Sequence, residues 1–279
     1  MLSITLDWLA LTYKEHSHEQ VRFCSLYASV APLADEHPRN GYNTAVTDKN
    51  GVVRYWHTER EEMGLHVVFA GSALRNIFRD GGISQRSLVE AAVNSGGRVT
   101  RLDVAKDAQD VHINLTAIWE RIQAKKIKGD ARTFSTIVNQ DEARTIYIGS
   151  RQSERFARIY NKLAEQGLTK GHWYRYELET KGMVARALAD LLVREPDWAS
   201  AFDAMALGML DIPRSSDYAA FFAKDGVLIS IPKLERQTDR EKWIREQVVK
   251  AVTEHYVEFP SSKSVALLID ALEYVSKHR

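Results

Sequence analysis

TRLDVAKD, residues 100–107, alternates charged and apolar side chains. Strand side chains point to opposite faces in turn, so Arg101, Asp103, Ala105 and Asp107 share one face and Leu102 and Val104 the other. WYRYELETKG at 173–182 repeats the pattern, with Arg175, Glu177 and Glu179 opposite Tyr174, Tyr176 and Leu178. RFARIYNKLAE at 155–165 does so again, setting Arg158, Tyr160 and Lys162 opposite Ala157 and Ile159. Each segment reads as a strand with one core face and one charged face. Alternation alone is also the normal pattern of an antiparallel sheet with a solvated face.

The rest of the chain supplies more strands and several helices. SITLDWLALT (3–12) reads as a strand, and HEQVRFCSLYASVAPLA, after the break at His16-Ser17-His18, has helical periodicity. Residues 43–47 and 52–57 flank Asn50-Gly51, a hairpin-turn signal because both residues tolerate positive φ. LHVVFAG (65–71) is a strand that hands over to a helix at Ser72, and Ser84 opens another helix. LTAIWERIQAKKI (115–127) is an amphipathic helix, and 134–139 with 144–149 form a second hairpin around Gln140-Asp141-Glu142. Hairpins with interspersed helices predict an α+β fold, a large antiparallel sheet with flanking helices followed by a helical C-terminal region. No Gly-rich phosphate loop supports a parallel doubly wound fold. The composition shifts near 183, which divides the chain into a sheet-rich catalytic region, 1–182, and a helical region, 183–279.

The 279-residue chain can bury a substantial core, and its 44% hydrophobic and 27% charged content is ordinary for a globular protein. The single cysteine, Cys24, forms no intramolecular disulfide, which points to a reducing, cytoplasmic compartment. No apolar run approaches a membrane span, and Asp7 interrupts the N-terminal apolar stretch, against a signal peptide. Net charge is only +1, yet residues 121–170 hold 11 Lys/Arg against 5 Asp/Glu, a basic patch of the kind that meets nucleic acid when it adjoins a site.

The charged faces carry chemistry. Asp is disfavoured inside strands, yet Asp103 and Asp107 lie on one such segment, and Glu177 and Glu179 on another. Crowded carboxylates repel unless a cation sits among them, and hard oxygen donors suit Mg²⁺ or Mn²⁺. A free phenol has a pKa of about 10 and is a weak nucleophile at neutral pH. A divalent ion that polarises a phosphoryl oxygen, with Arg and Lys stabilising the developing charge, would make Tyr160 competent to attack a phosphodiester.

TRLDVAKD, TIYIGSRQSERFARIYNKLAE (145–165) and WYRYELETKG, in that order, resemble the replication-initiation factors of rolling-circle plasmids, the Rep_trans family. The family pattern is R-L-D-x-A-x-D, then Y-x-G-x-R-x-S-x-R-x-x-R-I-Y-N-K-x-x-E, then W-R-x-E-x-E, and the match covers roughly residues 97–185. The resemblance implies a site-specific DNA nickase and strand transferase in which Tyr160 attacks the nick site of origin DNA. The product is a 5′-phosphotyrosyl link and a 3′-hydroxyl primer. Asp103, Asp107, Glu177 and Glu179 match the acidic positions, some subset of which holds the metal. Arg158, Lys162 and Arg175 match basic positions that contact phosphate, and Arg101, Arg151 and Arg155 extend the DNA contact. A homodimer and a host helicase partner are implied as well, and relaxases of integrative elements share similar motifs. Lys106 stands where relatives carry an apolar residue, which predicts a more exposed strand. The helical third does not suggest an origin sequence.

Rival readings are weaker. Tyr147, beside Gly149, is read as a packing or DNA-contact residue rather than the nucleophile. His16-Ser17-His18 is a surface turn, His66 a strand residue with a satisfied ring, and Cys24 a core residue. Trp173, Trp198 and Trp243 are core positions before they are base-stacking ones. A non-catalytic DNA-binding regulator and a metal nuclease without a covalent intermediate remain open alternatives.

Overall fold

The computed structural model describes residues 1–14, 18–27, 34–79, 82–139, 143–222, 249–258, 263 and 266. His16-Ser17, the Gln140–Glu142 turn, Trp243 and most of the final predicted helix lie outside the described residues. The chain forms two compact units, Met1–Pro232 and Lys233–Arg279. In the second unit a helix covers Lys250–Glu258.

In the first unit the strands are β1 (Leu2–Tyr13), β2 (Ala34–Asp35), β3 (Thr44–Thr47), β4 (Val53–Trp56), β5 (Leu65–Phe69), β6 (Arg98–Gln109), β7 (Phe134–Val138), β8 (Arg144–Ile148), β9 (Arg155–Asn161) and β10 (Trp173–Lys181). The helices are α1 (His18–Tyr27), α2 (Gly71–Arg79), α3 (Gln85–Asn94), α4 (Leu115–Gln123), α5 (Lys162–Glu165), α6 (Gly182–Arg194), α7 (Trp198–Met209) and α8 (Ser216–Ala219). All ten strands join one antiparallel sheet in the order β2-β3-β4-β5-β1-β6-β10-β9-β8-β7. The predicted α+β architecture is the observed one.

One sheet face is the core. Leu6, Leu9, Leu102, Val104, Tyr176, Leu178, Ile159 and Ile146 are buried there, and α3, α6 and α7 pack on the central strands β1 and β6. Capping explains where the helices begin. Ser84 starts α3 by accepting a hydrogen bond from Ser87 N, and Asn114 starts α4 by accepting from Ala117 N.

Lys106 overturns the expectation of an exposed strand. It is 1% exposed, on the core face, and its Nζ donates to Asp203 Oδ1 of α7 at 2.5 Å. The Phe202 and Phe222 rings lie 5.7 Å from the same ammonium. The extra charge was buried by giving it a partner on the packed helix, not by opening the strand.

Candidate functional site

The opposite face of the central strands carries the charged residues, and the register arranges them in three cross-strand rows. Paired residues of an antiparallel sheet project to the same side. One row is Asp107 on β6, Arg175 on β10 and Tyr160 on β9, continued by Thr145 on β8. The middle row is Ala105, Glu177, Arg158 and Tyr147. The third is Trp8 on β1, then Asp103, Glu179 and Phe156.

Each carboxylate meets a cation on this face. Arg175 grips Asp107 with two bonds of 2.8 Å, from Nε and Nη2, and reaches Asp7 Oδ1 at 3.4 Å. Arg158 Nη2 donates to Glu177 Oε1 at 2.5 Å, and the Tyr160 hydroxyl donates to Glu177 Oε2 at 3.3 Å. Arg101 Nη2 bridges Asp103 at 2.6 Å and Glu179 at 2.8 Å, while Lys181 Nζ lies 2.6 Å from Glu179 Oε1. Such charge-assisted pairs are the strong class of hydrogen bond, and here they cross-link β1, β6, β9 and β10.

The electrostatics favour a protonated resting phenol. Burial pushes the Tyr160 pKa up and the Glu177 charge adds to it, against the pull of Arg175 and Arg158. Burial likewise drives Asp103 up to about 7, reinforced by Glu179 and Glu177 and opposed by Arg101. Among the described residues no three His, Cys, Asp or Glu side chains converge as a metal cage. Mg²⁺ needs no such cage, because it keeps waters and takes one or two carboxylates together with substrate phosphate. Asp103 and Glu179 pair across β6 and β10, but both Asp103 oxygens accept from Arg101 and the Glu179 oxygens meet Arg101 and Lys181, so an ion bound there would have to displace those cations.

Tyr160, Arg158, Arg175, Glu177, Asp107, Asp103, Glu179 and Arg101 therefore share one face. Lys162 is not a strand residue: Asn161 ends β9 and caps α5 by accepting from Ala164 N. Its ammonium still sits 5.8 Å from the Tyr160 ring centroid, and Arg158 lies 5.5 Å from the same ring. Arg155 has the opposite strand parity and pairs with Asp130 at 2.7 Å. Arg151 leaves the strands for the turn after β8 and lies over the Tyr147 and Phe156 rings. Trp198 is buried, and His66 Nδ1 meets Thr12 Oγ1 at 2.9 Å, both as the sequence suggested.

Asp7, Trp8 and Phe156 of this face escaped the sequence reading. The register shift between Leu6 and Trp8 brings both Asp7 and Trp8 to it: Asp7 reaches Arg175, and the Arg101 guanidinium lies 4.5 Å from the Trp8 ring centroid. The signal was an Asp inside a strand, the same anomaly that singled out Asp103.

The sequence matches the replication initiation factor family, Rep_trans, over residues 97–256, which includes β6, β8, β9 and β10. The chain belongs to the replication initiation factor family. This replication initiation factor is also similar in fold to a solved structure, the rolling circle replication initiator protein from Geobacillus stearothermophilus. The two share 18% identity at a TM-score of 0.67, over 80% of this chain and 93% of that one. No curated protein matches the sequence. Asp7 and Trp8 lie outside the matched residues 97–256. No helix among the described residues is long and apolar enough to cross a membrane.

Proposed function

We propose that this replication initiation factor starts rolling-circle replication as a site-specific DNA nicking and closing enzyme, with Tyr160 as the nucleophile for one strand of origin DNA. The observation that carries this reading is the Tyr160 hydroxyl donating to Glu177 at 3.3 Å in a setting flanked by Arg158 and Arg175. A phenol held protonated needs a base at the moment of attack, and Glu177 is the acceptor already in place. The phenol oxygen bonds to phosphorus while the bond from phosphorus to the 3′ oxygen breaks. The phenol proton passes to Glu177, and the departing 3′ oxygen takes up a proton to become the primer hydroxyl. Reversal of the same steps closes the strand.

Arg158, Arg175 and Lys162 supply positive charge for the phosphoryl oxygens. Among the described residues the buried Arg158 Nε has no acceptor. Some subset of Asp103, Asp107, Glu177 and Glu179 would hold a Mg²⁺ or Mn²⁺ ion, exchanging a basic partner for it; bound, the ion would polarise the phosphoryl oxygen. Arg101, Arg151 and Arg155 extend the DNA contact. The helical region after residue 182 would carry origin specificity and assembly, a homodimer would present a second tyrosine, and a host helicase would unwind ahead of the primer.

Supercoiled origin DNA incubated with Mg²⁺ or Mn²⁺ tests the proposal. Tyr160→Phe is expected to abolish nicking and leave DNA binding within about twofold of the unmodified protein. Nicking that survives Tyr160→Phe would mean hydrolysis without this tyrosine. Binding without nicking by the unmodified protein would mean a regulator.

A further inference from the structure

Tyr147 and Phe156 stack on each other with ring centroids 5.8 Å apart and planes 18° from parallel. Tyr147 pairs with Arg158 and Phe156 with Glu179, so both rings stand on the Tyr160 face. The Arg151 guanidinium caps them, 5.6 Å from one centroid and 5.1 Å from the other. Phe156 is buried and forms the floor, Tyr147 is half-buried, and Arg151 is exposed.

The cap is held in place. Gly149 turns the chain at φ 84°, Lys181 Nζ donates to the Arg151 carbonyl at 2.7 Å, and Lys181 N donates to the Glu154 carbonyl at 2.9 Å. Among the described residues no carboxylate forms a salt bridge with the Arg151 guanidinium, in contrast to Arg101, Arg158 and Arg175 on the same sheet. Tyr147 is one strand across and two residues along from Tyr160, roughly 8 Å between backbones from the spacings of a sheet. The exposed Arg151 guanidinium, laid over a ring stack this close to the proposed nucleophile, offers a planar cationic surface that suits an unpaired base and its phosphate. A paired base would offer only its edge.

We propose that Tyr147, Phe156 and Arg151 form a base-stacking subsite for single-stranded DNA, holding a nucleotide that neighbours the one attacked. The position next to the attacked nucleotide rests on Tyr160 being the nucleophile, whereas the stacking of the base does not.

The test is fluorescence anisotropy on the full chain at one fixed salt concentration. The probes are an oligothymidylate of about a dozen nucleotides, an abasic strand of the same length, and a duplex of that length. The unmodified protein is expected to bind the oligothymidylate about tenfold more tightly than the abasic strand, within the range of one stacked base. Tyr147→Leu, which keeps apolar packing but removes the π face, is expected to shrink that gap to about twofold, and Tyr147→Phe to preserve it. Arg151→Gln, at an exposed position, reads the same loss should Tyr147→Leu fail to fold. Equal affinity for the thymidylate and abasic strands, a gap unchanged in Tyr147→Leu and Arg151→Gln, or a duplex bound as tightly as the single strand would overturn the proposal. Tyr160→Phe is expected to keep the gap. Nicking that survived Tyr160→Phe alongside an intact gap would sink the nucleophile and leave the subsite standing.

Discussion

Replacing Asp203 with alanine should destabilise the sheet more than any change of similar size on the surface. The Lys106 side chain is 2% exposed and that of Asp203 6%, with the ammonium and carboxylate 2.5 Å apart. Truncating the carboxylate leaves a buried ammonium 5.7 Å from the Phe202 and Phe222 ring centroids and beside Tyr176, the register partner of Lys106 on β10. Breaking a buried pair from one side costs about 3–5 kcal/mol, mainly as the unrelieved desolvation of the remaining charge. In a unit of this size 1 kcal/mol moves the melting temperature by about 2–4 °C, so the expected fall is about 6–20 °C. Differential scanning calorimetry on the full chain gives the measurement. Lys106→Met combined with Asp203→Leu should recover most of the loss, because an apolar pair of similar volume needs no desolvation. A fall below about 2 °C for Asp203→Ala would refute the reasoning and mean that the ammonium finds another route to water.

Glu177→Gln should lower single-turnover nicking by about 10²- to 10⁴-fold, the range for loss of a positioned base, with DNA affinity changed little. Rates that held within about threefold would remove Glu177 from proton transfer. The Asp103 pKa near 7 predicts a pH-dependent stability. It lies above the usual 3.8, so the folded state binds this proton more tightly. The associated stabilisation is full below about pH 4 and lost as pH rises through about 7. The melting temperature of Asp103→Asn, taken relative to the unmodified protein, should therefore rise between pH 5 and pH 8. A flat difference would show that Arg101 keeps the carboxylate ionised throughout.

The strand alternation was legible because a half-buried antiparallel sheet imposes a period of two on each strand separately. TRLDVAKD, RFARIYNKLAE and WYRYELETKG each reveal their own faces with no knowledge of neighbours. What pairs with what was not legible. Arg101, Arg158 and Arg175 neutralise the carboxylates through cross-strand register, which single strands do not encode, so the acids read as a crowd in need of a cation. Lys106 was misjudged for the same reason, since its partner on α7 is 97 residues away in sequence. At Asp7 the bulge broke the alternation itself, and at Lys162 a local rule won over strand periodicity because Asn161 caps a helix turn. The Tyr147–Phe156–Arg151 stack needs both a register and a turn, and no local pattern announces it.

The central claim is that Tyr160 becomes covalently attached to DNA. Its most direct measurement is to trap the adduct with origin DNA and Mg²⁺ or Mn²⁺, digest it with protease and nuclease, and locate the phosphorylated residue by mass spectrometry. The account predicts the modification on Tyr160, in the peptide that follows Arg158. A modification on Tyr147 or any other residue, or efficient nicking with no adduct at all, would contradict it.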